Sequence, residues 1–159
     1  MNKAYLLIGG NVGDRAGELT RAREAIAEQC GEIPAVSSVY ETEAWGKTDQ
    51  PGFLNQCLLV ETKMNAGDLL QTILHIEESR GRKRNEKYGP RTIDIDILFF
   101  NREVIRRKEL TVPHPELAFR RFALVPLAEL AQDYIHPLLH KSVKQLLQEC
   151  TDPLDVKKI

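Results

Sequence analysis

The stretch Thr92-Ile93-Asp94-Ile95-Asp96-Ile97-Leu98-Phe99-Phe100 constrains this chain more than any other. It is preceded by Gly89-Pro90-Arg91, so it opens as a loop and ends as core. From Thr92 onward β-branched residues alternate with other types, which dictates a strand. Its period of two puts Ile93, Ile95 and Ile97 on one face and Asp94 and Asp96 on the other. At about 3.3 Å rise per residue the two aspartate Cα atoms lie roughly 6.5 Å apart, so the carboxylates can converge on one metal or on a pair about 4 Å apart. Hard oxygen ligands of this kind suit Mg²⁺, which takes one or two carboxylates and fills its octahedron with water and phosphate oxygens. Alone, the Asp-x-Asp pattern is more simply the solvated face of a half-buried strand.

The segment just upstream shifts that balance. Arg80, Arg82, Lys83, Arg84, Lys87 and Arg91 crowd together with Glu86 as the one acid among them, and Gly81, Gly89 and Pro90 break any helix. A cationic loop therefore runs straight into the acidic pair. Arginine forks and lysine point charges grip a polyphosphate whose remaining charge is carried by Mg²⁺, so the two features together favour a nucleotide site.

Composition bounds the answer. The 159 residues make one domain spanning residues 1–159, and 42% hydrophobic residues suffice for a core. Twenty-two basic and 23 acidic residues leave a formal charge of −1, so no global field points to nucleic acid or a membrane surface. Cys30, Cys57 and Cys150 match neither a zinc site nor a disulfide scaffold and suit a reducing compartment. Without a leader pattern or a long apolar run, the expectation is a cytoplasmic monomer.

In chain order, Ala4 to Ile8 forms a short strand, followed by a Gly-rich turn from Gly9 to Arg15. The turn lacks the Gly-Lys-Ser/Thr ending of a phosphate loop, so Asp14 is better read as a helix N-cap. Leu19, Ala22, Ile26 and Cys30 recur at helical spacing, with Gly31 as the stop. Val36 to Thr42 and Phe53 to Thr62 both alternate, joined by a connection over residues 43–52 that is longer than a hairpin needs. Phe53 and Asn55 share a strand face, an arrangement that can stack on a flat heterocycle and bond its edge. A second helix starts near Asn65 and runs to Gly81, with Glu77 in its last turn. Asn101-Arg102 reads as a hairpin turn. Prolines on both sides of His114 fix its backbone. Phe122 reads as core with Leu124 and Val125. Pro137 stands between His136 and His140 and argues against a metal pair there, and a short helix around Val143, Leu146 and Leu147 precedes a charged tail expected to fray.

Gly89-Pro90-Arg91-Thr92-Ile93-Asp94-Ile95-Asp96-Ile97 resembles the signature of the 6-hydroxymethyl-7,8-dihydropterin pyrophosphokinases of folate biosynthesis, which move a diphosphoryl group from ATP to a pterin alcohol. Tyr5 to Arg15, Ser37 to Thr42, Gln50 to Asn55, Glu77 to Arg84 and Leu110 to His114 resemble the family's other blocks in order and spacing. The resemblance implies that Asp94 and Asp96 hold two Mg²⁺ ions and that Arg82 and Arg91 join them in catalysis. It places Glu77, Arg82, Arg84, Lys87, Tyr88, Arg91, Ile97, Thr111, His114 and Arg120 at ATP. It places Thr42, Trp45, Pro51, Phe53, Asn55, Asp94 and Phe122 at the pterin, Phe53 and Phe122 sandwiching the ring. Three positions depart from the family pattern: Lys87 for a usual Arg, Tyr88 for a usual Trp, and Glu109 for a frequent basic residue. A fourth, Trp45, stands where an aliphatic residue is usual.

The expected architecture is an α+β, ferredoxin-like βαββαβ sandwich, with helices packed on an antiparallel sheet and additions at the C-terminal side. An RNA-recognition module shares that order, but no aromatic RNA-binding motif is present and acids on a central strand would repel RNA. A Mg²⁺-dependent nuclease or phosphohydrolase could use the aspartate pair, yet would leave the pterin-shaped segments without purpose.

Overall fold

A computed structural model of the chain describes residues 1–43, 51–80 and 92–159. The sheet runs in the order β5 (Asp94–Phe100), β1 (Asn2–Gly10), β4 (Phe53–Thr62), β3 (Tyr40–Thr42), β8 (Val156–Lys158), with β2 (Glu32–Val36) also paired to β4. All of its pairings are antiparallel. Helices α1 (Arg15–Gln29) and α2 (Ala66–Ser79) connect the strands of the βαββαβ frame. A hairpin of β6 (Ile105–Arg106) and β7 (Thr111–Val112), a 3₁₀ turn at Leu117–Phe119, and helices α3 (Arg121–Ala131) and α4 (Val143–Glu149) follow. This is the α+β arrangement the alternating strands predict.

Strand period assigns each side chain to one of two cores. Leu6, Ile8, Leu58, Val60, Ile93, Ile95 and Ile97 pack against Leu19, Ala22 and Ile26 of α1 and Leu69, Ile73 and Ile76 of α2. Leu7, Cys57, Leu98 and Phe99 face the other way, onto Ala123, Leu124 and Leu127 of α3 and Val143 and Leu146 of α4. Leu98 and Phe99 are consecutive yet share a face because pairing with β1 slips there. Tyr5 lies opposite Phe99 and Leu6 opposite Ile97, which leaves Leu98 as the extra residue of a bulge. The same strand thus turns carboxylates outward at its start and aromatic bulk inward at its end.

The helix boundaries have local causes. Asp14 caps α1 by accepting from the Gly17 N–H at 3.1 Å, and Asn65 caps α2 by accepting from Asp68 N–H at 2.8 Å. Three expectations need correction. Asn101-Arg102 is a turn but closes no hairpin, because β6 pairs with β7 and not with β5. The strand read over Val36 to Thr42 is two strands, because Ser37 Oγ accepts the Cys57 N–H at 2.9 Å and Ser38 gives its N–H to the Glu129 carboxylate of α3. These side chains take ladder positions that a continuous strand would fill. The tail does not fray: Val156, Lys157 and Lys158 pair with Thr42, Glu41 and Tyr40. It is held by Asp152, which is buried and accepts the Arg121 and Leu154 N–H groups at 3.1 and 3.0 Å. The three cysteines are free thiols, Cys30 and Cys57 in the cores and Cys150 half-buried. Among the described residues no helix is long and apolar enough to cross a membrane.

His136 closes the loop between α3 and α4. Its Nδ1 accepts the N–H groups of Leu138 and Leu139, both at 3.1 Å, and its ring stands edge-on to Phe99. Burial holds its pKa below the ordinary value, with the neighbouring His140 adding to the shift. The folded chain favours the neutral ring while the unfolded chain takes up a proton more readily. Stability from this site is therefore complete above about pH 6.5 and is lost as the pH falls below it. Urea unfolding should show a larger loss between about pH 7.5 and about pH 5 in the natural chain than in His136→Asn, whose amide oxygen accepts the same bonds without titrating. Equal losses in the two proteins would remove His136 as the cause.

Candidate active site

Four strands meet in one row at the carboxyl end of β1. Asp94 of β5 lies opposite Gly9, Gly9 opposite Asn55 of β4, and Asn55 opposite Tyr40 of β3. One step further out Phe53 pairs with Thr42, and one step inward Asp96 and Cys57 flank Leu7. By strand period all these side chains share the face that α3 and α4 cover from Leu7 and Cys57 onward. Asp94, Asp96 and Phe53 are half-exposed beyond that cover, whereas Asn55 and Thr42 are buried.

Gly9 is there because nothing larger fits. A Cβ on it would stand 2.1 Å from Asn55 Oδ1 and 2.8 Å from the Leu54 carbonyl, so the Asn55 amide lies across β1 on the side of Asp94. The buried hydroxyl of Thr42 has no hydrogen-bond partner, alone in this among the described residues. Its neighbour Tyr40 donates to Glu129 at 2.6 Å, and burial together with that bond pushes the phenol up to about 12, so it stays a donor. Thr42 thus keeps an unmet bonding capacity at the rim of a polar row, a position where the cost of burial is recovered only when a polar group arrives.

On the outer side of β5 the chain returns through β7 into His114. The His114 N–H bonds the Leu98 carbonyl at 3.0 Å, and its Nδ1 accepts the Glu116 N–H at 3.2 Å, which leaves the ring proton on Nε2. Burial and Arg120 push the imidazole pKa down, while the Asp96 and Glu116 carboxylates pull it up, and the net shift is downward. Arg120 pairs with Glu116 and lies over the Phe122 ring, 5.6 Å from its centroid. Phe122 is half-buried against the second core. The acidic pair thus sits between a His/Arg cluster on one side and an amide, a hydroxyl and an aromatic ring on the other.

Glu77 holds the edge of β5. It is 3% exposed, and its Oε2 accepts the Ile95 N–H at 2.7 Å, between the two aspartates. Antiparallel geometry explains the orientation: Asp94 and Asp96 spend their backbone groups on β1, whereas Ile95 and Ile97 turn theirs to the open edge. The Ile97 side chain is buried in the first core, so its main chain is the part that faces outward. Thr111 is exposed opposite Arg106, and the Pro51 carbonyl accepts the Asn11 amide at 3.1 Å. Trp45, Arg82, Arg84, Lys87, Tyr88 and Arg91 lie outside the described residues.

The pair Asp94 and Asp96 suits a hard cation by chemistry: two carboxylates on one face, with oxygen-only donors. Among the described residues no group of three or more His, Cys, Asp or Glu side chains gathers as a metal cage. Mg²⁺ bound with a polyphosphate does not need one, since phosphate oxygens and water complete its shell. The resemblance sets the Gly-rich turn from Gly9 to Arg15 near the pterin end of the cleft, but it singles out no residue there; what Gly9, Asn11 and Arg15 each contact appears only once β4 is placed beside the turn.

The family model described as 7,8-dihydro-6-hydroxymethylpterin-pyrophosphokinase (HPPK) matches residues 5–132. The 2-amino-4-hydroxy-6-hydroxymethyldihydropteridine pyrophosphokinase of Aquifex aeolicus is 44% identical over 151 residues, covering 95% of this chain and 94% of that one. The protein of the same name from Bacillus subtilis is 43% identical over 132 residues, covering 82% and 79%. Among solved structures, wild-type Plasmodium falciparum HPPK-DHPS with SDX-DHP superposes with a TM-score of 0.71 at 19% identity, over 94% of this chain and 43% of that one. A second HPPK-DHPS, in complex with substrates, gives 0.73 at 15% identity, over 92% and 43%. The chain spans less than half the length of those two structures, and at these identities they speak to the fold. With the family model matched over residues 5–132 and relatives above 40% identical over 82% and 95% of the chain, this protein belongs to the 7,8-dihydro-6-hydroxymethylpterin-pyrophosphokinase family.

Proposed function

We propose that the chain transfers the diphosphoryl group of ATP to 6-hydroxymethyl-7,8-dihydropterin, forming the pterin diphosphate and AMP. The observation that carries this reading is the shared row Asp94, Gly9, Asn55, which sets a carboxylate pair beside a buried amide across one glycine. Asp94 and Asp96 would hold two Mg²⁺ ions, which supply neutralisation of the charge on the attacking and departing oxygens. The chain's own residues do the rest by position and charge. Asn55 and Thr42 offer bonds to the edge of a flat heterocycle, and Phe53 and Phe122 supply its stacking faces. His114, donating from Nε2, and Arg120 face the phosphates together with Arg82, Arg84, Lys87 and Arg91. Glu77 reaches the nucleotide side through Ile95, and the outward main chain of Ile97, with Thr111 and Tyr88, serves the base and sugar. Pro51 and Trp45 flank the acceptor.

The hydroxymethyl oxygen attacks the β-phosphorus in line. The new O–P bond forms as the bond from that phosphorus to the α–β bridging oxygen breaks, AMP keeps the bridging oxygen, and the hydroxyl proton passes to solvent. Nothing in the row requires a general base; rate comes from alignment and electrostatic stabilisation.

The deciding assay incubates the protein with Mg²⁺, ATP and the pterin and separates the nucleotides. AMP should form one-for-one with pterin diphosphate and only when the pterin is present; ADP, or hydrolysis without pterin, would discard the acceptor. Asp96→Asn should lower kcat by at least about 10³-fold with an unchanged circular dichroism spectrum, and chelation of divalent cations should stop the natural enzyme. An active Asp96→Asn protein would remove the carboxylate pair from the chemistry. Thr42→Val keeps the shape and deletes the unpartnered hydroxyl. The free protein should be no less stable, while pterin affinity falls about 3- to 10-fold, the worth of one hydrogen bond. A stability loss with unchanged pterin affinity would mean that the hydroxyl serves the fold instead.

A further inference from the structure

The turn between β1 and α1 reaches two strands away. Asn11, 1% exposed, donates its amide to the Pro51 carbonyl at 3.1 Å. The Arg15 guanidinium donates to the Gly52 carbonyl at 2.8 Å and pairs with the Glu41 carboxylate. Those partners flank the last ladder pair of β3 and β4, since Glu41 precedes Thr42, Gly52 precedes Phe53, and Thr42 lies opposite Phe53. The ladder of β3 and β4 ends at that pair. The carbonyls of residues 51 and 52 accept side-chain donors from Asn11 and Arg15 in the place of ladder bonds. Gly52 is also close-packed, because a Cβ on it would stand 3.0 Å from the Thr42 carbonyl.

We infer that Arg15 is a positioning residue for the acceptor, clamping Glu41 and Gly52 so that the Thr42 hydroxyl and the Phe53 ring face one ligand at a fixed separation. The inference rests on the acceptor reading given above. Arg15 acts through backbone and through Glu41. Glu41 and Gly52 lie on the β3 and β4 side of the row, away from Asp96 on β5 and His114 beyond it, so the effect of Arg15 falls on one substrate. Its side chain is 30% exposed and its ion pair is a surface pair, so truncation costs little stability. Asn11 works beside it on the adjoining carbonyl.

The test titrates the fluorescent pterin against the protein in the presence of Mg²⁺ and α,β-methylene-ATP, for the natural chain, Arg15→Met and Arg15→Lys. Steady-state KM for both substrates and thermal unfolding are followed in parallel. Arg15→Met, which keeps the apolar stem, should weaken pterin binding about 10-fold and raise the pterin KM alike, with the ATP KM and the melting temperature held. Arg15→Lys should recover most of the loss, because an ammonium has donors for both the carboxylate and the carbonyl. If the natural chain does not bind pterin, the acceptor reading falls and the inference falls with it. If the natural chain binds and Arg15→Met binds equally well, the inference alone falls. Equal loss for both substrates, with a lowered melting temperature, would make Arg15 a general structural residue and overturn the inference as well.

Discussion

The site depends on the bond from the Ile95 N–H to the buried Glu77 carboxylate. β5 is an edge strand, and an edge strand carries a row of unspent donors and acceptors that leaves it free to twist or pair elsewhere. A charge-assisted bond from the last turn of α2 fixes the edge midway between Asp94 and Asp96. On the inner side β1 holds the two aspartates through their own backbone groups. The carboxylates are therefore located from both edges of a strand whose isoleucines are already buried in the first core. Such a pair can converge on a cation without the main chain rearranging at the moment of binding.

A second constraint comes from the bulge at Leu98. Without it strict alternation would send Phe99 back to the face of the isoleucines. With it Leu98 and Phe99 both enter the second core, and α3 and α4 dock on the carboxylate face just past Asp96. That docking gives the face its division into a covered half and an open half. It also brings Arg120 and Phe122, at the start of α3, to the rim of the open half, and it leaves the His114 N–H bonded to the bulged Leu98 carbonyl. One inserted residue thus sets the seat of the core and the position of the imidazole together.

How much of this was legible follows from which interactions are local. The strand that ends at Phe100, the caps Asp14 and Asn65 and the face shared by Phe53 and Asn55 follow from period and side-chain chemistry alone, and they stand where the sequence places them, save that the strand begins at Asp94 and not at Thr92. Glu77 did not read as a strand anchor, because a lone acid at a helix end looks solvated until the strand it meets is known. The break at Ser37–Ser38 depends on Glu129, some ninety residues away, and α3 carries Pro126 inside a pattern that otherwise reads as apolar core. The tail gave no signal of its own. Three residues, two of them lysine, become a strand because Glu41 and Tyr40 present an open edge and Asp152 brings the chain to it. Contacts made far along the chain are the ones that local pattern cannot supply.

Charge decides the order in which such a site can assemble. Asp94, Asp96 and Glu116 bring three carboxylates to β5 and the turn beside it, Arg120 pairs with Glu116, and burial keeps the His114 ring toward neutrality. Carboxylates by themselves repel a triphosphate that carries no divalent cation, the more so where the effective dielectric is below that of water. On the function proposed above, the same carboxylates would become attractive once the triphosphate carried Mg²⁺, and the basic residues that precede the strand in sequence would suit the charge left over. A formal charge of −1 over the whole chain is compatible with this only because the two signs are segregated along a few residues of sequence, acids on the strand and bases in the connection before it. On that reading metal and nucleotide would present themselves to the protein as one ligand, while the row of Asn55, Thr42 and Phe53 is uncharged and suits recognition by shape and hydrogen bonding instead.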